Sequence, residues 1–260
     1  MDLSTLQKYF LRIVDDPQRL FRILFSPCAR GMLLNLHREP SPWEFLFGLT
    51  GISKHDFLSY RKELAEDREF NRHLANTHIK IRKKRLPQPQ GWAELLYVLV
   101  RKIKPEMIME TGVFDGLGTS FILQALMKNK TGTLISVDLP ATKVIKGSTD
   151  LMPFQILPKN GSPGWLLSET LKKRWKLILI NKRRGLGDIL KKIPSIDIFL
   201  HDSLHTKEHM SWEMNLAWSK LKKRGMLLVD DVYCNRAFKE FSVKNKRIYM
   251  IKYGLGVMKK

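Results

Sequence analysis

The residues best placed to do chemistry are Asp202, His205 and the adjacent pair Asp230-Asp231. Carboxylate oxygens are hard ligands, so three converging aspartates suit Mg²⁺ or Mn²⁺ rather than zinc. Each acid follows a short apolar run, Ile196 to Leu200 before Asp202 and Met226 to Val229 before the pair. If those runs are neighbouring strands, Asp202, Asp230 and Asp231 meet at one end of a sheet. His205, three residues beyond Asp202, then stands one helical turn above it and can act as general base on a substrate hydroxyl. A plainer role for His205, as a helix cap, stays open. His201 reads as packed within the strand end and His209 as exposed.

A second constellation lies upstream. Met107 to Met109 reads as a buried strand ending in Glu110, followed by a turn through Gly112, Gly116 and Gly118 and a helix from Ser120 to Met127. Such a turn lets a ligand approach bare backbone, and Glu110 lies where a ligand hydroxyl or amine could be held. Asp138 closes the next apolar run, where an acid is placed to bind ribose hydroxyls; a turn-forming role is the alternative. Glu110, Asp138, Asp202 and Asp230-Asp231 fall at four of five expected strand ends.

The elements that must position these groups follow from periodicity. Residues 1–90 read as helical, with Leu3, Leu6, Phe10, Ile13 and Val14, then Leu20, Phe21, Leu24 and Phe25, at helical spacing. Arg38 to Trp43 reads as a loop. A charged amphipathic helix runs from a cap at Ser53, with Asp56 in capping-box position, to about His78. Leu86 to Gly91 is the linker candidate. This region reads as a lid or dimerisation element, which makes the chain a candidate homo-oligomer and leaves peripheral membrane contact open.

From Trp92 helices and strands alternate: strands Thr133–Val137, Lys176–Ile180, Ile196–Leu200 and Met226–Val229 follow the first, with an irregular substrate-side loop over 141–164. A final turn at Tyr253-Gly254 marks a hairpin. The expected fold is α/β: a Rossmann-like, doubly wound, mostly parallel sheet with a terminal antiparallel hairpin, preceded by an N-terminal helical region over 1–90.

Composition narrows the partners. The 260 residues are 43% hydrophobic, enough for a packed core, and contain no apolar run long enough to span a bilayer. No signal-peptide pattern opens the sequence. Two cysteines, Cys28 and Cys234, give no disulfide framework, and the location expected is cytoplasmic. The net charge of +21 suits a lysine-biased solvated surface better than an anionic partner such as nucleic acid, acidic lipid or a charged glycan. Basic clusters at Lys80 to Arg85, Lys172 to Arg174, Lys182 to Arg184 and Lys220 to Arg224 lack interleaved aromatics, which speaks against nucleic acid.

Glu110-Thr-Gly-Val-Phe-Asp-Gly-Leu-Gly-Thr-Ser120 resembles the first motif of class I S-adenosylmethionine-dependent methyltransferases. His201-Asp-Ser-Leu-His-Thr-Lys-Glu-His209, followed by Gly225-Met-Leu-Leu-Val-Asp-Asp231, resembles the subgroup of macrolide-sugar O-methyltransferases and cephalosporin-hydroxylase-like proteins. The resemblance covers residues 91–260. It implies a methionine-binding turn from Glu110 through Gly112 and Val113 to Gly116, closed by Ser120, and ribose contact from Asp138. It also implies a divalent metal on Asp202, Asp230 and Asp231 with His205 as base. One segment departs: after the third strand the subgroup carries a Gly-Asp-Ser-Arg-like sequence, where this chain has Ile180-Asn181-Lys182-Arg183, so adenine contact would fall to Asn181. The function implied is O-methylation of a hydroxyl on a small molecule or sugar, anionic or neutral, using S-adenosylmethionine and Mg²⁺ or Mn²⁺.

Other readings fit less of the sequence. A dinucleotide oxidoreductase needs G-x-G-x-x-G, and reading from Gly116 the third glycine position is Phe121. His205-Thr-Lys-Glu-His209 matches the zinc-peptidase pattern H-x-x-E-H, at a strand-to-helix junction the α/β alternation already explains. A basic binding module on a retired methyltransferase fold is the non-enzymatic alternative.

Overall fold

The computed structural model describes residues 31, 34–35, 38–86, 91–138, 157, 161–180 and 184–260. The helices expected within 1–30, most of the linker candidate, most of the 141–164 loop and Asn181 lie outside them.

Among the described residues, three full helices precede the linker candidate. Helix α1 (Pro42–Thr50) starts where a loop was expected, because Ser41 and Glu44 form a reciprocal capping box with Pro42 inside the first turn. The expected single helix after Ser53 is two, α2 (Lys54–Glu66) and α3 (Arg68–Arg82). Ser53 caps α2 through Asp56 N–H at 2.9 Å. Asp67 ends α2 and caps α3, its carboxylate accepting from Phe70 N–H at 3.1 Å. Helix α4 (Gly91–Ile103) is apolar nearly all round and is sandwiched between α1, α2 and the rest of the chain.

The remaining order is β1 (Met107–Thr111), α5 (Leu117–Asn129), β2 (Thr133–Asp138), α6 (Glu169–Lys172), β3 (Trp175–Leu179), α7 (Arg184–Lys192), β4 (Ile196–His201), α8 (Lys207–Lys220), β5 (Leu221–Val229), α9 (Ala237–Lys244), β6 (Tyr249–Lys252) and β7 (Leu255–Lys259). They form one seven-stranded sheet in the order β3-β2-β1-β4-β5-β7-β6. The first five strands are parallel, and β7 inserts antiparallel between β5 and β6. The order reverses direction at β1 and β4, the switch point at which α/β sheets bind ligands.

Strand alternation sorts the core onto two faces. Ile108, Leu134, Ile198, Leu200, Met226, Leu228, Leu255 and Val257 pack on one side with α1 to α5. Met109, Val137, Phe199, Leu227, Val229 and Met258 pack on the other with α7, α8 and α9. Both faces are covered, which makes the sheet doubly wound. The N-terminal helices share the first core, through Phe45, Leu46, Phe57 and Phe70.

No helix among the described residues is long and apolar enough to cross a membrane. Cys234 is buried, and the chain's other cysteine, Cys28, lies outside the described residues.

Candidate active site

β4 and β5 are parallel neighbours in a register that pairs His201 with Val229, so Asp202 and Asp230 leave the sheet side by side. Two backbone hydrogen bonds fix the exits: Asp202 N–H donates to Thr111 carbonyl at 2.9 Å, and Asp230 N–H to His201 carbonyl at 2.9 Å. Ligand-type atoms of Asp202, His205 and Asp230 all lie within 4.8 Å of one another. His205 is buried, with Nε2 3.9 Å from Asp202 Oδ1 and Nδ1 4.0 Å from Asp231 Oδ2.

Asp231, the third expected carboxylate, adjoins this group through His205 and is among the charges acting on Asp202. Asp231 adopts a left-handed backbone (φ 52°), which turns it away from the direction of β5. Thr206, not His205, caps α8, accepting from His209 N–H at 3.3 Å. Burial, then the charges of Asp230, Asp231 and Glu110, push the Asp202 carboxyl well above the usual carboxylate range. About 30% of that side chain's surface is still open. A carboxyl crowded by like charges, with an imidazole alongside, is a donor set that fits a small divalent cation.

Across the switch point the glycine turn is packed by the chain itself. A Cβ at Gly112 (φ +83°) would lie 1.9 Å from the Asp202 carbonyl oxygen, and one at Gly116 (φ +88°) would lie 2.8 Å from Gly164 Cα. At Gly118 it would lie 2.7 Å from the Trp92 ring, so that glycine lets α4 and α5 approach rather than admitting a ligand. Asp138 Oδ2 accepts from Val113 and Phe114 N–H at 2.9 and 3.1 Å.

Glu110 lies beneath the turn, with both oxygens accepting from Thr119 Oγ1 and Oε2 also from Ser136 Oγ, itself bonded by Trp175 Nε1 at 2.8 Å. Burial raises its carboxyl to about 7 against the lowering effect of those hydroxyls. Ser120 is buried, its hydroxyl donating to Leu117 carbonyl at 2.6 Å. Of the expected donor-binding residues, Val113, Gly116 and Asp138 line the turn, while Glu110 and Ser120 support it from below.

Two clusters escaped the sequence reading. The first covers the turn from outside: Gly164 and Leu166 N–H donate to Phe114 and Asp115 carbonyls at 2.9 and 3.0 Å. Arg82, at the end of α3, stands 5.4 Å from the ring centres of both Phe114 and Trp165, and His73 Nε2 bonds Leu166 carbonyl at 3.0 Å. The second lies under Asp202. Glu213 of α8 accepts from Thr111 Oγ1 (2.6 Å), His201 Nδ1 (2.6 Å), His209 Nε2 (2.8 Å) and Ser203 Oγ (3.1 Å). Burial alone would raise the Glu213 carboxyl, but the surrounding donors hold it well below its usual range. The available signal was an acid on the apolar stripe Met210, Met214, Ala217, four residues after His209.

Residues 109–232 match a family model described as a methyltransferase domain. The fold is similar to that of CalS11, a calicheamicin methyltransferase, with TM-score 0.53 and 13% identity over 75% of this chain and 93% of that one. It is also similar to that of a methyltransferase from Geobacter sulfurreducens, with TM-score 0.51 and 16% identity over 75% of this chain and 91% of that one. At such identities the likeness is one of fold. No curated protein matches in sequence.

Proposed function

We propose that the chain, whose residues 109–232 match a methyltransferase-domain model, is an S-adenosylmethionine-dependent O-methyltransferase, assisted by Mg²⁺ or Mn²⁺, acting on a hydroxyl of a small molecule or sugar. The observation that carries this is the convergence of Asp202, His205 and Asp230 within 4.8 Å, across the switch point from the glycine turn. In this reading the turn from Gly112 to Gly116 and Asp138 hold the donor, and helices α1 to α3 lie on the acceptor side.

The sulfonium methyl group is electrophilic as bound, so the protein's task is alignment and proton removal. A divalent cation held by Asp202 and Asp230 would acidify and orient an acceptor hydroxyl. His205 stands beside both acids and takes the hydroxyl proton, and Asp231, 4.0 Å from its Nδ1, favours the resulting imidazolium.

The test is calorimetry with S-adenosylhomocysteine, followed by methyl transfer from labelled S-adenosylmethionine to sugar and catechol hydroxyls with and without chelator. Micromolar binding and chelator-sensitive transfer are expected. Absence of binding would remove the donor assignment, and full transfer in excess chelator would remove the metal.

A further inference from the structure

We propose that Glu213 is a positioning residue for the candidate site, setting the Asp202 turn and, through His201, the ring of His205. The proposal rests on the reading of His205 as the residue that takes the proton. A buried carboxylate is costly unless its lone pairs are used, and Glu213, only 3% exposed, has four donors on its two oxygens. Those donors come from separate elements. Thr111 is the last residue of β1, immediately before Gly112 of the turn. His201 ends β4 and Ser203 follows, so Asp202 lies between two residues both tied to Glu213. His209 comes from α8 itself, one helical turn before Glu213.

The link to His205 passes through His201. Its Nδ1 donates to Glu213 Oε2 at 2.6 Å, which fixes the tautomer, and the ring is wholly buried. His201 then meets the His205 ring edge to face, with centroids 5.3 Å apart and planes at 78°. A rotation of His201 would therefore displace His205 from between Asp202 and Asp231. Pure packing could be met at this position by methionine or leucine, as at Met210 and Met214 on the same stripe. A carboxylate gathering donors from both halves of the site is the arrangement expected of an orienting group.

The experiment uses the full chain with isotope-labelled histidine. Ring signals, assigned by single histidine substitutions, are compared in wild type, Glu213→Gln and Thr111→Val, before and after Mn²⁺. In Glu213→Gln the His201 and His205 signals should both move. His55, whose side chain is 90% exposed, should not. The Mn²⁺ dissociation constant should rise about tenfold or more. Thr111→Val removes one donor and keeps the carboxylate, so the same signals should move less; it carries the test should Glu213→Gln not fold. A His205 signal unmoved in the folded variants would overturn the proposal. Mn²⁺ that leaves wild-type His205 sharp would remove the metal reading alone, and the ring shifts would still decide the role of Glu213.

Discussion

Asp138 accepts the backbone N–H of Val113 at 2.9 Å, and that of Phe114 through the same oxygen at 3.1 Å. The acid after β2 thus shapes the glycine turn. Asp138→Asn keeps an acceptor but loses the charge that strengthens both bonds, each worth about 1.5–3 kcal/mol when charged. We expect S-adenosylhomocysteine binding to weaken about tenfold or more, with a measurable fall in melting temperature even without ligand. Calorimetry and thermal unfolding check both, and a variant that loses affinity with unchanged apo stability would confine Asp138 to ligand contact.

Glu110 gives a pH prediction. Burial raises its carboxyl from 4.5 to about 7 in the folded protein. Between those values the unfolded chain has released the proton and the folded one has not, so stability from this group falls as pH rises and levels off above about 7. The drop is about 3 kcal/mol. Glu110→Gln should remove that slope, leaving the variant relatively more stable near neutrality. Denaturant unfolding of both proteins from pH 4 to 8 gives the difference curve, and a pH-independent difference would show that Glu110 titrates normally.

What the sequence made legible was whatever strand and helix period dictate. Asp138, Asp202 and Asp230 fall at strand ends because a parallel sheet with helical crossovers must deliver them there. The N-cap at Ser41 was missed because Pro40 and Pro42 read as loop, although Ser41 and Glu44 have capping-box spacing. Gly118 looked like part of a ligand cradle, and only the approach of Trp92 shows its use. Glu213 could not be tied to Thr111, which is 102 residues away in sequence, without tertiary structure. The left-handed backbone at Asp231, which brings its carboxylate to within 4.0 Å of His205 Nδ1, has no signature in the sequence.

The glycines separate by what they touch. At Gly112 a methyl group would meet the Asp202 carbonyl at 1.9 Å on a backbone with φ +83°, so neither neighbour nor conformation can yield without unseating Asp202. Gly112→Ala should cost more than about 4 kcal/mol or prevent folding. At Gly118 the obstacle is the edge of the Trp92 ring, which can shift, and alanine favours the helix, so Gly118→Ala should cost about 1–2 kcal/mol. Denaturant midpoints measured without ligand rank them, and equal costs would mean that the Asp202 carbonyl moves as readily as the Trp92 ring.

Glu39 ties the segment before α1 to the antiparallel edge of the sheet. Its carboxylate accepts from Tyr233 Oη and Tyr253 N–H, each at 2.9 Å, and lies 3.6 Å from Lys252 Nζ, with both charged side chains at most 5% exposed. Tyr233 stands two residues beyond Asp231, so the contact joins the N-terminal region to the strand end that carries the candidate site. Removing one member of a buried pair leaves the other charge uncompensated, so Glu39→Ala should destabilise by about 3–5 kcal/mol. Adding Lys252→Met removes the orphaned charge and should recover part of that loss. A double-mutant cycle by denaturant unfolding measures the coupling. Strict additivity of the two substitutions would show that the ammonium and carboxylate contribute independently, and that Glu39 holds this end of the chain through Tyr233 and the Tyr253 amide alone.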